Sequence, residues 1–246
     1  MLLPEKYNDW SDFSTYSDLL LFEKDLGYLT SAVIIFLESY GSIAELGAFS
    51  QINSLSEKLL VVVADNHHPK KSFISLGPIR NIEFTKKYQN SVCVIPSGKP
   101  NELEPHISII VDTLTKKRIR TNKHVSFKNT EPLHEILLVL DLINLFLVSL
   151  KTELIQLSTI FNVNLIFSRI YQLLFLLEKV ELITCQHYGD TQYYIPKNFK
   201  KIYLDYTSKT SEKSFKRDRF KTLIWAEIQT DKFRKNAYEA SQSVRK

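Results

Sequence analysis

The sequence predicts two domains of different class: a parallel-sheet α/β domain over residues 1–118 and a mostly helical domain over residues 131–246, joined by a polar linker at 119–130. Three observations carry this reading. In the first half, β-branched apolar runs alternate with helix-length segments, the pattern of βαβ units. The second half reads as helix, short turn and helix, followed by a hairpin around a Gly-Asp turn. Charge divides at the same junction: residues 1–115 hold 9 Lys and Arg against 14 Asp and Glu, a net of −5, whereas residues 116–246 hold 23 against 13, a net of +10.

Between Tyr16 and Leu29, apolar Leu19, Leu20, Phe22, Leu26 and Leu29 recur at helical spacing. The run Ala32 to Leu37 is then a buried strand. A turn at Ser39 to Ser42 leads into a helix from Ile43 to about Ser50, a second helical stretch reaches Lys58, and Leu59 to Val63 forms the next strand. Continuous apolar runs of this length suit parallel strands covered on both faces. Val92 to Ile95 supplies a third strand and Leu103 to Thr115 a helix. Parallel sheets of this kind take ligands beyond the carboxyl ends of their strands, so chemistry is expected just after Leu37 and Val63.

From Lys116 to Thr130 the chain turns polar and basic. Beyond it, Glu135 to Leu150 and Lys151 to Phe161 read as helices, Asn162 to Asn164 as a break, and Leu165 to Leu177 as another helix. That is the helix-turn-helix outline; Leu182 to Ile195, folded about Gly189 and Asp190 and closed by Pro196, is the natural wing of a winged-helix domain. After a polar stretch at Ser208 to Ser214, a last helix is expected from Lys216 to about Ala240.

With 44% hydrophobic and 24% charged residues, the composition is that of a globular protein. The apolar runs at 133–150 and 165–177 are broken by Glu135, Asp141 and Asn144, or by Ser168, Arg169 and Gln172, so neither is expected to span a membrane. Pro4, Glu5 and Lys6 follow only three residues, unlike a signal peptide. A cytoplasmic protein is the expectation. Cys93 and Cys185 have no second sulfur close in sequence, which argues against a disulfide framework or a four-ligand zinc site. Adjacent His67 and His68 point apart on an extended chain, so no metal is expected there.

The segment Glu38-Ser39-Tyr40-Gly41-Ser42-Ile43-Ala44-Glu45-Leu46-Gly47-Ala48-Phe49 places a small-residue turn at a strand's carboxyl end, with a carboxylate three residues after Ser42. One account is a capping box, in which Ser42 caps the helix and Glu45 reaches back to its backbone N–H. That explains Ser42 and Glu45 but not Gly41 at the strand end, nor Gly47 inside a helix, where glycine costs stability unless something approaches closely.

The same stretch resembles the active-site segment of nucleoside deoxyribosyltransferases, where a strand ends in a turn of Gly and Ser or Thr and a Glu on the following helix is the nucleophile. It is more similar to the version in bacterial retron effector toxins, whose pattern is Glu-Ser-Pro-Gly-Ser followed two residues later by Glu-Leu-Gly-Ala-Phe. Lys71 to Ile74 and Gly77 to Arg80 match those effectors at the same spacing. The resemblance implies a flavodoxin-like α/β domain of nucleoside deoxyribosyltransferase type and an anti-phage effector that cleaves an N-glycosidic bond. By the same resemblance NAD or a related nucleotide is the expected substrate, and no cofactor is expected. It also implies catalytic roles for Glu45 and Glu38, with Ser39, Gly41, Ser42 and Asp65 toward substrate. Tyr40 replaces the usual Pro. Transferases carry an Asp where this chain has Ser39, so base exchange between nucleosides is not expected. The family begins with a strand, a Gly-rich turn and a helix before its second strand, and Leu2-Leu3-Pro4-Glu5 matches only the end of that second strand. The first βα unit is thus expected either to be encoded upstream of Met1 or to have been lost from a decayed effector.

In the basic half, Arg169, Lys179, Tyr193, Lys197, Lys200, Lys201, Lys216, Arg217 and Arg219 are the candidate nucleic-acid contacts; Lys221, Lys232, Arg234 and Lys235 add charge behind them. The helix Leu165 to Leu177 is apolar enough to serve instead as an oligomer interface. By resemblance this half holds the retron's reverse transcriptase and its RNA-linked single-stranded DNA, which keep the toxin inactive. The competing account is a non-catalytic, nucleic-acid-binding regulator whose α/β half only senses a nucleotide.

Overall fold

The computed structural model describes residues 15–65, 72–85, 87–96, 104–117, 127–205 and 215–243. The expectations for residues 2–5, His67, His68, Lys71, most of the linker and the 208–214 stretch lie outside them. The molecule forms two compact units, one from the described residues of Leu26–Thr121 and the other from those of Met1–Asp25 with Asn122–Lys246. Residues 15–25, which the sequence pattern attaches to the α/β half, group with the helical half. The cause is a set of long-range contacts: the Tyr16 hydroxyl donates to Asp25 Oδ2 at 3.0 Å and to the Gln172 carbonyl at 3.2 Å, and Phe22 packs edge-on against Phe175.

Helix α1 (Leu19–Leu29) carries the chain into the α/β unit. Gly27 lets α1 pack close to Leu55, since a Cβ would lie 3.1 Å from Leu55 Cδ2 and that side chain would have to shift. The Lys58 ammonium donates to the Gly27 and Tyr28 carbonyls at 3.3 and 2.8 Å, covering the helix's carboxyl end. Strands β1 (Val33–Phe36), β2 (Leu59–Ala64) and β3 (Val92–Ile95) form a parallel sheet in the order β1-β2-β3, with Ile35 beside Val61 and Val62 beside Cys93. Central β2 is almost wholly buried, which is why its sequence shows no polar alternation. On one face Leu60, Val62 and Cys93 pack with Ile110 of α4 (Ile107–Lys116). Helix α2 (Tyr40–Gln51) and the short α3 (Asn53–Ser56) connect β1 to β2, and α2 buries Leu46 and Phe49.

The helical unit contains α5 (Pro132–Phe146), α6 (Lys151–Thr159) and α7 (Phe167–Lys179), then an antiparallel hairpin of β4 (Ile183–Tyr188) and β5 (Thr191–Pro196). Gly189 turns the hairpin at a φ of 59°. Helix α5 ends before the expected Leu150 because the sheet claims the chain: Ser149 and Tyr194 exchange backbone hydrogen bonds of 3.0 and 2.9 Å. The expected final helix divides into α8 (Arg217–Thr230) and α9 (Lys232–Ser243). Asp231 causes the break, its Oδ1 accepting from the Phe233 and Arg234 amides at 3.0 and 3.1 Å. Among the described residues no helix is long and apolar enough to cross a membrane.

Candidate active site

The sheet's carboxyl edge gathers the residues singled out by sequence. Leu37 N–H still pairs with the Val62 carbonyl at 2.9 Å, so continuing the β1–β2 register sets Glu38 beside Ala64, one residue before Asp65. Glu38 and Asp65, both exposed, therefore leave the carboxyl ends of adjacent strands. Exposed carboxylates at such an edge are placed to meet a ligand rather than the core.

Helix α2 begins three residues earlier than the sequence pattern suggests. Its N-cap is Ser39, whose Oγ accepts from the Ser42 N–H at 3.2 Å, while Ser42 Oγ accepts from the Ser39 N–H at 3.2 Å. The Ser42 hydroxyl also donates to the Ser39 carbonyl at 3.0 Å and accepts from the Glu38 N–H at 3.3 Å. The two serines thus complete the capping box between themselves. The alternative in which Ser42 caps and Glu45 closes the box is corrected by this geometry, since Glu45 lies six positions beyond the N-cap and cannot reach the cap backbone.

Glu45 is instead a residue of the second helical turn, half-buried beside fully buried Leu46, with Gly41 and Ser42 one turn ahead of it. Gly41 and Gly47 are not demanded by the protein's own packing. A Cβ at Gly41 would meet only Ser39 Oγ, at an ordinary 3.6 Å, and one at Gly47 nothing within 4 Å. Space for a close approach exists beside both, and no other described part of the chain fills it. Tyr40, at the position of the family's Pro, is 94% exposed.

Behind α2, Ser75–Ile79 and Asn81–Thr85 form two π-helical turns. Pro78 lacks the N–H that would bond one turn back, which interrupts the regular ladder. Asn81 Nδ2 ties this segment to α2 by donating to the Ser50 carbonyl at 3.3 Å. The matched Gly77 to Arg80 stretch therefore supports α2 from behind.

In the helical unit the expected nucleic-acid contacts divide. Lys197, Lys200, Lys201, Lys216 and Arg219 are exposed, around the end of β5 and the start of α8, and Lys179 is half-exposed beside the Phe175 ring. Three others are committed inside the protein. Arg169 bridges Asp25, at 2.5 and 3.0 Å, and Glu135, at 2.7 Å. Arg217 pairs with fully buried Asp141 at 2.7 Å. Tyr193 is buried in the core with Ile195 and Ile228, so its ring is not presented for stacking. What the sequence pattern missed is Phe199 and Phe215 beside the exposed lysines; Lys221, expected only to add charge, lies one turn after Arg217 in the same lining.

Comparison with known proteins follows this geometry. A family model described as STM3845 retron effector protein matches residues 1–185. The "Retron Ec73 putative ribosyltransferase/DNA-binding protein" of Escherichia coli is 44% identical over 82 residues, 33% of this chain and 25% of that protein. The "Retron Ec86 putative ribosyltransferase/DNA-binding protein" of Escherichia coli is 34% identical over 110 residues, 45% of this chain and 34% of that protein. The matched stretches thus span about a quarter and a third of these two relatives.

Proposed function

The chain belongs to the STM3845 retron effector family, and on that premise we propose that it is an anti-phage toxin that hydrolyses the N-glycosidic bond of NAD or a related nucleotide. The observation that carries the reading is the capping arrangement of α2. With Ser39 and Ser42 closing the helix end, the cap does not account for Glu45, which stands one turn after Gly41 on the helix that follows β1. The names of the two Escherichia coli relatives, which include a ribosyltransferase activity, fit glycosyl transfer.

In this mechanism the Glu45 carboxylate attacks the anomeric carbon of the ribose, or stabilises its oxocarbenium character, as the bond to nicotinamide breaks. Nicotinamide leaves as a neutral base because its ring nitrogen is cationic in NAD, so little acid assistance is needed. Water then releases ADP-ribose and a proton. Glu38 holds a ribose hydroxyl, with Asp65 on the neighbouring strand available for the same task. Gly41 admits the sugar close to the backbone. The Ser39 and Ser42 hydroxyls keep the helix end in place, so their contribution to binding is mainly positional.

The helical half has the element order of a winged-helix domain, with the Ser149–Tyr194 bridge as its extra strand. We assign to it the binding of retron reverse transcriptase and RNA-linked DNA, which holds the toxin inactive. The direct test incubates the chain, without retron partners, with NAD and a panel of nucleotides, and follows release of the base by chromatography. Release of nicotinamide or another base is expected. Binding of nucleotide with no release would favour a sensing regulator instead.

A further inference from the structure

Between the loop after β5 and the first turn of α8 lies a cleft of about 580 Å3, within the size range of small-ligand sites. Two of its lining residues, Arg217 and Lys221, are held by a part-buried hydrogen-bond network. Asn144 of α5 is fully buried; its Nδ2 donates to the Asn198 carbonyl at 2.7 Å, and its Oδ1 accepts from Lys221 at 2.6 Å. Lys221 also donates to the Phe199 carbonyl at 2.6 Å, and Arg217 joins Asp141 to the Leu204 carbonyl. Asn198 Oδ1 in turn accepts from the amides of Lys200 and Lys201 at 3.0 and 3.1 Å, which fixes the loop that carries them.

Among the described residues, Arg217 and Lys221 lie together here, with the carboxylates of Asp141 and Asp218 acting on Lys221. Burial and the facing Arg217 guanidinium lower the pKa of Lys221 from the ordinary lysine value, and an anion bound in the cleft would relieve that penalty. On the rim, Lys200, Lys216 and Arg219 are exposed beside the single acidic Asp218, and none of the three is in an ion pair among the described residues. Between these charges, Ile202 and Phe215 expose apolar surface, 49% and 40% respectively.

We infer that this cleft takes an unpaired nucleotide of a single-stranded nucleic acid, with its phosphate on Lys200, Lys216 and Arg219 and its base against Phe215 and Ile202. The inference rests on the nucleic-acid reading of the helical half and sharpens it. Positive charge alone would suit any polyanion. The apolar surface within the charged rim makes the difference, because a duplex keeps its base faces stacked inside and would leave Phe215 and Ile202 wet. An unpaired base offers a flat face to an aromatic ring, and cationic grooves interleaved with aromatics are the usual means of holding single strands.

The test measures binding of the full chain to a short fluorescent single strand and to the same sequence as a duplex, by anisotropy, at about 0.15 M salt. The single strand should bind at least about tenfold more tightly. K216E/R219E should lower that affinity about tenfold or more and reduce the salt slope by roughly 0.7 for each phosphate that is no longer neutralised. Phe215→Ala should weaken the single strand by about fivefold or more, the range of base stacking, and leave the duplex unchanged. The same charge change outside the cleft, K87E/K128E at two exposed lysines, should alter single-strand affinity less than about threefold. An equal loss in K87E/K128E would overturn the cleft in favour of net charge. Displacement of the oligonucleotide by inorganic phosphate or AMP at matched concentration would overturn it in favour of a small-molecule site. Tight duplex binding that ignores the cleft variants would overturn the inference and leave the nucleic-acid reading standing, whereas failure of both strands to bind would sink both.

Discussion

The two units dispose of their charges in opposite ways. In the helical unit three arginines turn inward, Arg169 to Asp25 and Glu135, Arg217 to Asp141, and Arg234 to Glu153 and Asp231, while Arg219 stays exposed. In the α/β unit the ion pair among the described residues is Lys116–Asp112, exposed on one helix, while Glu38 and Asp65 stand at the open edge of the sheet. A net charge of +10 over residues 116–246 therefore overstates the surface available to a polyanion. Part of it neutralises carboxylates that the fold has taken out of water. Buried pairs hold a structure by default, because either partner alone would be left charged in a dry interior. The carboxylates at the sheet edge, Glu38 and Asp65, stay exposed instead.

The sharpest way to break this contrast is at Asp141, which is fully buried. Arg217→Met should cost about 3–5 kcal/mol, read as a fall in the urea midpoint, because the carboxylate loses its main counter-charge. Arg169→Met should cost about 3 kcal/mol for the same reason at Asp25, whereas Lys197→Ala, whose 3.5 Å contact with Glu181 is exposed, should stay within about 0.5 kcal/mol of the parent. Equal effects at Arg169 and Lys197 would contradict the division into inward and outward charges.

Alkaline pH should drive the two units apart. Burial pushes Lys58 and Lys117 of the α/β unit down to about 8. Below that pH both folded and unfolded chains hold these protons. From there to the ordinary lysine value near 10.5 only the unfolded chain does, so the unit gains stability as pH rises, by up to about 1.4 kcal/mol per unit of pKa difference. In the helical unit, burial raises Cys185 to about 11 and lifts Tyr16, Tyr194 and Tyr203 above the usual value of 10.0, so its stability should fall as pH rises through these groups, with the lowered Lys221 offsetting only part of the loss. No tryptophan lies within Leu26–Thr121 and Trp225 packs against the core of the helical unit, so its fluorescence follows that unit while circular dichroism follows both. Parallel shifts of the two signals between about pH 8 and 10 would refute the assignment.

How much of this was legible in sequence depends on how local each signal is. The three strands could be read because Val33 to Phe36, Leu59 to Ala64 and Val92 to Ile95 are short apolar runs flanked by helices. The hairpin could be read because Gly189 supplies the positive φ its turn requires. The cap of α2 was ambiguous for a local reason: Ser39 and Ser42 each stand three residues before a side chain able to close a box, and sequence offers no way to choose between overlapping frames. The attachment of residues 15–25 to the helical unit was invisible, since it depends on Asp25 meeting Arg169 across 144 positions. The same is true of Arg217 and Asp141, 76 positions apart, and of Tyr193, whose wing position suggested stacking but whose ring packs inward. At the candidate site the motif was readable in one stretch, but which residues close the helix cap and which stand outside it needed the backbone.

That distinction makes the most direct test a comparison of Glu45→Gln with Ser39→Ala in one preparation, measuring thermal stability and base release from nucleotide together. Ser39→Ala should lower stability by about 1 kcal/mol as an N-cap is lost and retain most of the turnover. Glu45→Gln should melt with the parent, because the amide preserves size and hydrogen bonding, yet lose turnover by about 100-fold or more for want of the negative charge. A folded Glu45→Gln protein that releases base at the parental rate would contradict the account.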